Sequence, residues 1–388
     1  MSRNSPAQTW FRALAITFVL ALGVPTAVAA DGLQTDARPD CDRPTDRQDG
    51  WSVGTPEEYG FDPAVICPMG RRAAQSKVNA IIIARHGVLV YERYFSVQDQ
   101  RAGEPLASES FDANTRQPLF SATKSVVSLA FGIALARGWV KDLNVPVASY
   151  FPEDGDLITP AKSRIQVRHL LTMSDGLDWH EWFPPFDSDD EIAKAADPYR
   201  YVLGRDVLLP PGRSFNYNSG DTELLGEILH RAAGRPLDIL VKEELLDPLG
   251  IEDVDWRRWP NGNPKANNGL LLRPRDTAKI GQLVLNHGAW GNRQLVPETW
   301  IVQSITPHNN GPDSYLYGYQ WWLGRSLING HEISWVGAFG WAGQRLIVVP
   351  EKDLVVFVSA WLIHGMSFVQ FPESVLLNQY ILPSIVGD

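Results

Sequence analysis

The 388-residue sequence carries 35 Lys and Arg against 45 Asp and Glu, a formal charge of −10. At 44% hydrophobic and 21% charged residues it can bury a sizeable core, which excludes disorder over most of its length. A net negative chain with no basic run of five or more lacks the footprint of a nucleic-acid binder, and the length fits one large domain or two closely packed lobes.

Residues 1–30 read as a signal peptide. Arg3 and Arg12 precede the apolar run Ala13 to Val24, and Ala27-Val28-Ala29-Ala30 supplies small residues for cleavage. The run is short for a bilayer span, so the segment predicts export to the periplasm or medium, with no membrane span in the mature chain. A buried N-terminal helix is the competing reading. Loss of Arg3 and Arg12 takes the charge from −10 to −12. A leader over 31–72 follows and holds Cys41 in a stretch rich in Pro, Asp and Arg, with Cys67 near its end. In an exported chain this pair invites a disulfide; two unrelated thiols are the alternative.

Asn79 to Ala84 and Val88 to Phe95 are two apolar strands around Arg85-His86-Gly87, a hairpin pattern. Ser121 to Ala136 is almost uniformly apolar after Lys124, which predicts a buried helix ended by Gly138. Helical patterns follow at Val167 to Met173, Asp221 to Ala233, Leu237 to Leu246 and Pro274 to Asn286. Between them, Asp178 to Arg200 is a long loop rich in aromatic and acidic residues. Strand patterns return at Tyr315 to Leu323, Ile333 to Phe339, Arg345 to Val349 and Leu354 to Ala360, and a last helix is predicted from about Ser367 to Leu382. The order predicts an α+β fold: an antiparallel sheet with flanking helices, built from both ends of the chain (73–105 and 310–388), with a mainly helical lobe (106–309) inserted.

Gly50-Trp51-Ser52-Val53-Gly54 matches a nucleophile elbow in letters only, since the residues before it are polar and Pro56 follows. The eight scattered histidines and the lack of a Gly-rich phosphate loop give metal, nucleotide and flavin chemistry no positive support. Ser121-Ala122-Thr123-Lys124 is different. Three positions apart on a helix, Ser121 and Lys124 share a face, and an amine desolvated at the start of an apolar helix favours the neutral form that can act as base. The helix start also offers a free N–H for an oxyanion. A serine cap beside an exposed lysine is the plainer reading. Further on, Pro211-Gly212 leads through Tyr217-Asn218-Ser219 into a helix, so Tyr217 offers a phenol and Asn218 a polar contact or a cap. Val336-Gly337-Ala338-Phe339-Gly340-Trp341-Ala342-Gly343-Gln344 is a Gly-rich strand, open either to close approach by a ligand, as at Gly340, or to a bulge.

These three elements, in this order, resemble the serine β-lactamase and penicillin-binding protein superfamily from about Asp62 to the C-terminus. The likeness is nearest to class C-like esterases and 6-aminohexanoate-dimer (nylon-oligomer) hydrolases. Phe120-Ser121-Ala122-Thr123-Lys124-Ser125, His169-Leu170-Leu171-Thr172-Met173-Ser174-Asp175-Gly176-Leu177 and Gly343-Gln344-Arg345 carry it. It implies that Ser121 is the acylated nucleophile, Lys124 its base and Tyr217 a partner in proton transfer, with backbone N–H groups of Ser121 and Trp341 as the oxyanion hole. The implied activity is cofactor-free hydrolysis of a small-molecule ester or amide. A β-lactamase or DD-peptidase, an acyltransferase and a non-catalytic binding homologue are the rivals. The sequence departs from the pattern twice. Tyr217-Asn218-Ser219 lacks the asparagine two places after the tyrosine, and no cation stands between Gly337 and Gly343 to meet a β-lactam carboxylate, leaving only Arg345 beyond them. Trp179 and Trp182 are read as walls of an acyl pocket, with Asp178, Glu181 or Asp187 meeting a substrate amine; aromatic packing of an ordered loop is the alternative.

Overall fold

The structure is a computed structural model that describes residues 41–386 apart from 96–99, 102–103, 106–110, 182–186 and 362–371. The segment read as a signal peptide, Trp182 and the first residues of the expected last helix lie outside the described residues.

Both ends of the described chain meet in one sheet. Its strands are β1 (Ser52–Val53), β2 (Val78–Arg85), β3 (Val88–Tyr94), β4 (Asn309–Asn310), β5 (Leu316–Tyr317), β6 (Trp322–Ile328), β7 (His331–Gly340), β8 (Gln344–Val349) and β9 (Leu354–Ala360). They lie in the order β1-β3-β2-β9-β8-β7-β6-β5-β4, antiparallel except where β1 runs parallel to β3. The β2–β3 hairpin turns on His86 and Gly87, both at positive φ, the geometry a two-residue hairpin loop needs.

Every residue of β2 and β9 is buried because both faces of the sheet are covered. Ile82, Ala84, Leu346, Val348, Val355 and Phe357 join the core shared with the helical lobe. Ile81, Ile83, Ile347, Val349, Val356 and Val358 alternate with them and pack on the other face with Phe61, Ile66, Met69, Leu376 and Ile381. Helix Glu373–Ile381 lies on that second face, and Cys41 and Cys67 at its margin are joined in a disulfide with Cα atoms 5.2 Å apart.

The middle of the chain forms the helical lobe, centred on α1 (Thr123–Ala136) and α2 (Ser219–Ala233). Helix α3 (Pro274–Leu285) packs along the inner face of the sheet. There Gly281 is needed, because a Cβ would meet Val355 and Leu346 at 2.6 and 2.8 Å.

The sequence pattern and the structure differ in three places. Asp178 to Arg200 is not one long loop: helices Ser188–Ile192 and Pro198–Leu203 begin within it, capped by the Asp187 and Asp197 side chains. Tyr315 to Leu323 is not one strand: β5 and β6 are separated by a turn in which Gly318 N–H bonds the Trp321 carbonyl and Gln320 sits at φ 63°. Helix α1 begins at Thr123, and Ser121 instead lies in a tighter turn, Phe120–Ala122, ahead of it.

Candidate active site

The turn carrying Ser121 is pinned on both sides. Leu119 N–H bonds the Leu270 carbonyl at 2.9 Å, and Leu270 N–H bonds Thr123 Oγ1 at 3.2 Å. Phe120 is held at φ 48°, the left-handed region that a bulky residue enters only when its surroundings impose it. One turn on, Lys124 is 1% exposed, which removes the reading of a solvated lysine beside a serine cap. Its Nζ lies 3.0 Å from Ser121 Oγ and 3.0 Å from the Asn267 carbonyl oxygen. Among the described residues no carboxylate touches it.

Tyr217 reaches the same point from the segment before α2. Its ring centroid is 5.2 Å from Lys124 Nζ, and its hydroxyl is hydrogen-bonded with both Ser121 and Lys124. Burial pushes the phenol above its ordinary range, with Lys124 opposing that rise. The ring stacks on Trp322 of β6 at 5.7 Å, and Trp322 stacks in turn on Phe339 of β7 at 6.1 Å. The expected trio of Ser121, Lys124 and Tyr217 is therefore brought together.

The Gly-rich strand arrives alongside. The Phe120 and Trp341 rings meet edge to face at 5.4 Å, and Trp341 is half exposed beside the nucleophile turn. Gly340 is not left open for a ligand as the sequence reading expected: a Cβ there would stand 2.0 Å from the Leu119 carbonyl oxygen. Its missing side chain lets the strand pass directly over the turn that holds Ser121. Arg345 does not offer a free cation to a substrate carboxylate. It is buried, donates to the Gly340 and Gln344 carbonyls at 2.9 and 3.0 Å, and lies 4.4 Å over the Phe339 ring.

Two other expectations are corrected. Asn218 is fully buried and does not face a substrate; it caps α2, accepting from Asp221 N–H at 3.3 Å and donating to the Asp175 and Asp221 carboxylates. Trp179 is 2% exposed and packs in the helical-lobe core, so it is not a pocket wall; its indole N–H donates to Glu181 Oε2 at 2.7 Å. Asp178 is paired with His180 and Arg205, and Asp187 accepts from Asp189 N–H at 2.9 Å.

Two supporting groups, Asn267 and Gln320, carry no hint in the sequence pattern, and a third, Glu181, is read there as a candidate partner for a substrate amine but instead holds Ser219 and Trp179. Asn267 presents its carbonyl to Lys124, its N–H bonds Glu223, and its amide donates to Asp189 at 2.8 Å. Gln320 joins three helices: its carbonyl accepts from Ser125, its Oε1 accepts from Thr222, and its amide donates to the Leu170 carbonyl. Glu181 is buried and accepts from Ser219 N–H and Ser219 Oγ as well as Trp179. Ser219 thus fills, with a hydroxyl turned to Glu181, the place where the resembled pattern has an asparagine. No short motif marks these groups, because each is brought in by tertiary contact; the only sequence cue is that Glu181 lies among the loop acids.

A serine and lysine on one helix start, joined by a tyrosine and overlain by the end of an antiparallel sheet, define an α+β protein of the Ser-x-x-Lys type. The chain belongs to the Beta-lactamase family, whose profile matches residues 71–362. It is 28% identical over 194 residues to esterase EstB of Burkholderia gladioli, a match over 44% of this chain and 45% of that protein, so this chain spans under half the esterase's length. It is 24% identical to the 6-aminohexanoate-dimer hydrolase of Paenarthrobacter ureafaciens, over 75% of this chain and 74% of that one. Among solved structures, a Bacillus anthracis protein provisionally named 6-aminohexanoate-dimer hydrolase superposes with a TM-score of 0.66 at 23% identity, over 81% of this chain and 80% of its own; this likeness is one of fold.

Proposed function

We propose that the protein is a serine hydrolase that cleaves a small-molecule ester or amide bond through an acyl-Ser121 intermediate. The contact of Lys124 Nζ with Ser121 Oγ at 3.0 Å, inside a site that excludes water from the lysine, carries this reading. Lys124 takes the Ser121 proton as Oγ bonds the carbonyl carbon. The leaving alcohol or amine receives a proton through Tyr217, and water then releases the acid and restores Ser121. Backbone N–H groups of Ser121 and Trp341 are the donors proposed for the oxyanion. The two relatives named for an esterase and an aminohexanoate-dimer hydrolase support esters and linear amides as substrates. The commitment of Arg345 to backbone carbonyls speaks against a β-lactam carboxylate as the preferred partner. Export to the periplasm or medium is part of the proposal, supported by the Cys41–Cys67 disulfide.

Initial rates on a nitrophenyl ester, a linear ω-amino amide and a chromogenic cephalosporin, for the wild type and Ser121→Ala, test it. Ester or amide turnover that disappears in the variant is expected. Equal rates in both proteins on every substrate would overturn it.

A further inference from the structure

Resting on the acyl-Ser121 reading, the structure raises the question of how Lys124 carries charge while buried. When it takes the Ser121 proton an ammonium forms at a position that is 1% exposed, and the groups hydrogen-bonded to it, Ser121 Oγ, the Asn267 carbonyl and the Tyr217 hydroxyl, carry no carboxylate charge. A buried ammonium without compensation is costly. Glu181, which interacts electrostatically with Lys124, is 7% exposed and is held by three donors on Trp179 and on Ser219, two residues after the Tyr217 that touches Lys124: Ser219 N–H at 2.7 Å, Ser219 Oγ at 2.8 Å and the Trp179 indole at 2.7 Å. None of the three is a cation, so their hydrogen bonds fix the carboxylate's position without neutralising its charge.

We propose that Glu181 is a positioning residue for acylation: its fixed carboxylate is the counter-charge that lets Lys124 hold the proton taken from Ser121. In the step itself, Oγ bonds the substrate carbonyl carbon, the carbonyl electron pair moves to oxygen, and the hydroxyl proton passes to Lys124 Nζ. Glu181 exchanges no proton in this step. Five groups act electrostatically with it: Lys124 of α1 favours its ionised form, Asp189 of helix Ser188–Ile192 opposes it, and Tyr217, Asp221 of α2 and Tyr317 of β5 share its field. Burial raises the Glu181 carboxyl to about 7, with Lys124 pulling it back down and Asp189 pushing it up. The counter-charge is therefore complete above neutral pH and lost below it.

The test is the pH profile of the acylation burst, read as nitrophenol release and as acyl mass on Ser121, for the wild type, Glu181→Gln, Glu181→Asp and Asp189→Asn. Thermal unfolding establishes that each variant is folded. The wild-type burst rate should rise through neutral pH to a plateau. Glu181→Gln should lose that rise, or displace it by a unit or more, and its plateau should fall roughly tenfold. Glu181→Asp, which keeps the charge, should keep the rise. Asp189→Asn removes the like charge that opposes Glu181 ionisation, so its rise should move to lower pH, a result that stands if Glu181→Gln does not fold. A folded Glu181→Gln with the wild-type profile, or an unmoved rise in Asp189→Asn, would overturn the inference while leaving acyl-Ser121 chemistry in place. A wild type that never acylates Ser121 would overturn both.

Discussion

Replacing Lys124 by methionine keeps most of the buried stem and removes the nitrogen that bridges Ser121 Oγ and the Asn267 carbonyl. General-base assistance is worth roughly 10²–10⁴-fold, so kcat/KM on a nitrophenyl ester should fall by that range. The melting temperature should hold or rise, because a desolvated polar group leaves the core. A rate loss under threefold would show that Lys124 is not the base. A second residue-level effect lies under the same segment. Asp175 and Asp221 are fully buried side by side, and burial raises both carboxyls, that of Asp221 well above its ordinary value. Because the folded values lie above the unfolded ones, these groups contribute stability that is complete below about pH 4 and is lost as pH rises through the raised values. Asp221→Asn removes one of the two charges and keeps the shape. It should stabilise the protein at pH 8 by about 1–3 kcal/mol and have little effect or the reverse near pH 4, as read from urea unfolding at the two pH values. An equal effect at both would refute the assignment.

At the scale of elements, the site depends on the end of β7 lying against the turn before α1. Gly340→Ala places a Cβ 2.0 Å from the Leu119 carbonyl oxygen and 3.0 Å from the Gln344 Cβ, and a backbone carbonyl cannot give way cheaply. The strand end must separate from the Ser121 turn, carrying the Trp341 N–H with it. A displacement of about 1 Å is enough for a loss near 10²-fold in kcat, with unfolding also made easier, and both are measurable on one preparation. Wild-type kcat in Gly340→Ala would show that this contact does not set the oxyanion geometry. The same elements show what the sequence could reveal. Ser121 and Lys124 were legible because one helical turn brings them together, and Tyr217 because a Pro-Gly turn and a helix start frame it. Asn267 and Gln320 were not, since no local spacing links a strand connection to a turn between β5 and β6, and Glu181 stood out only as one of three loop acids that could meet an amine, with nothing local to show that it binds Ser219. Trp179 and Asn218 were misread for a related reason: aromatic and polar residues near a site look alike in sequence whether they face a ligand or support what does.

Over the whole molecule, the strand–helix–strand order already implied a sheet closed from both ends, because apolar alternation survives at each end and helical periods fill the middle. What the order could not show is that the sheet is covered on both faces. That separation divides the labour of the fold. The face toward the helical lobe supports α1 and α2, which frame Lys124 and Tyr217, while the other face is closed by Phe61, Ile66, Met69 and the C-terminal helix. The Cys41–Cys67 bond lies at the margin of the second face and closes a loop with a separation of 26 residues. Loop-closure entropy gives such a link about 3.5 kcal/mol. Reduction should therefore lower the stability measured by urea unfolding by an amount of that order, while the burst of Ser121 acylation in the folded reduced protein keeps its rate. If reduction instead abolished the burst before unfolding began, the two faces would be coupled, and the leader would belong to the catalytic apparatus as well as to the stability of the sheet.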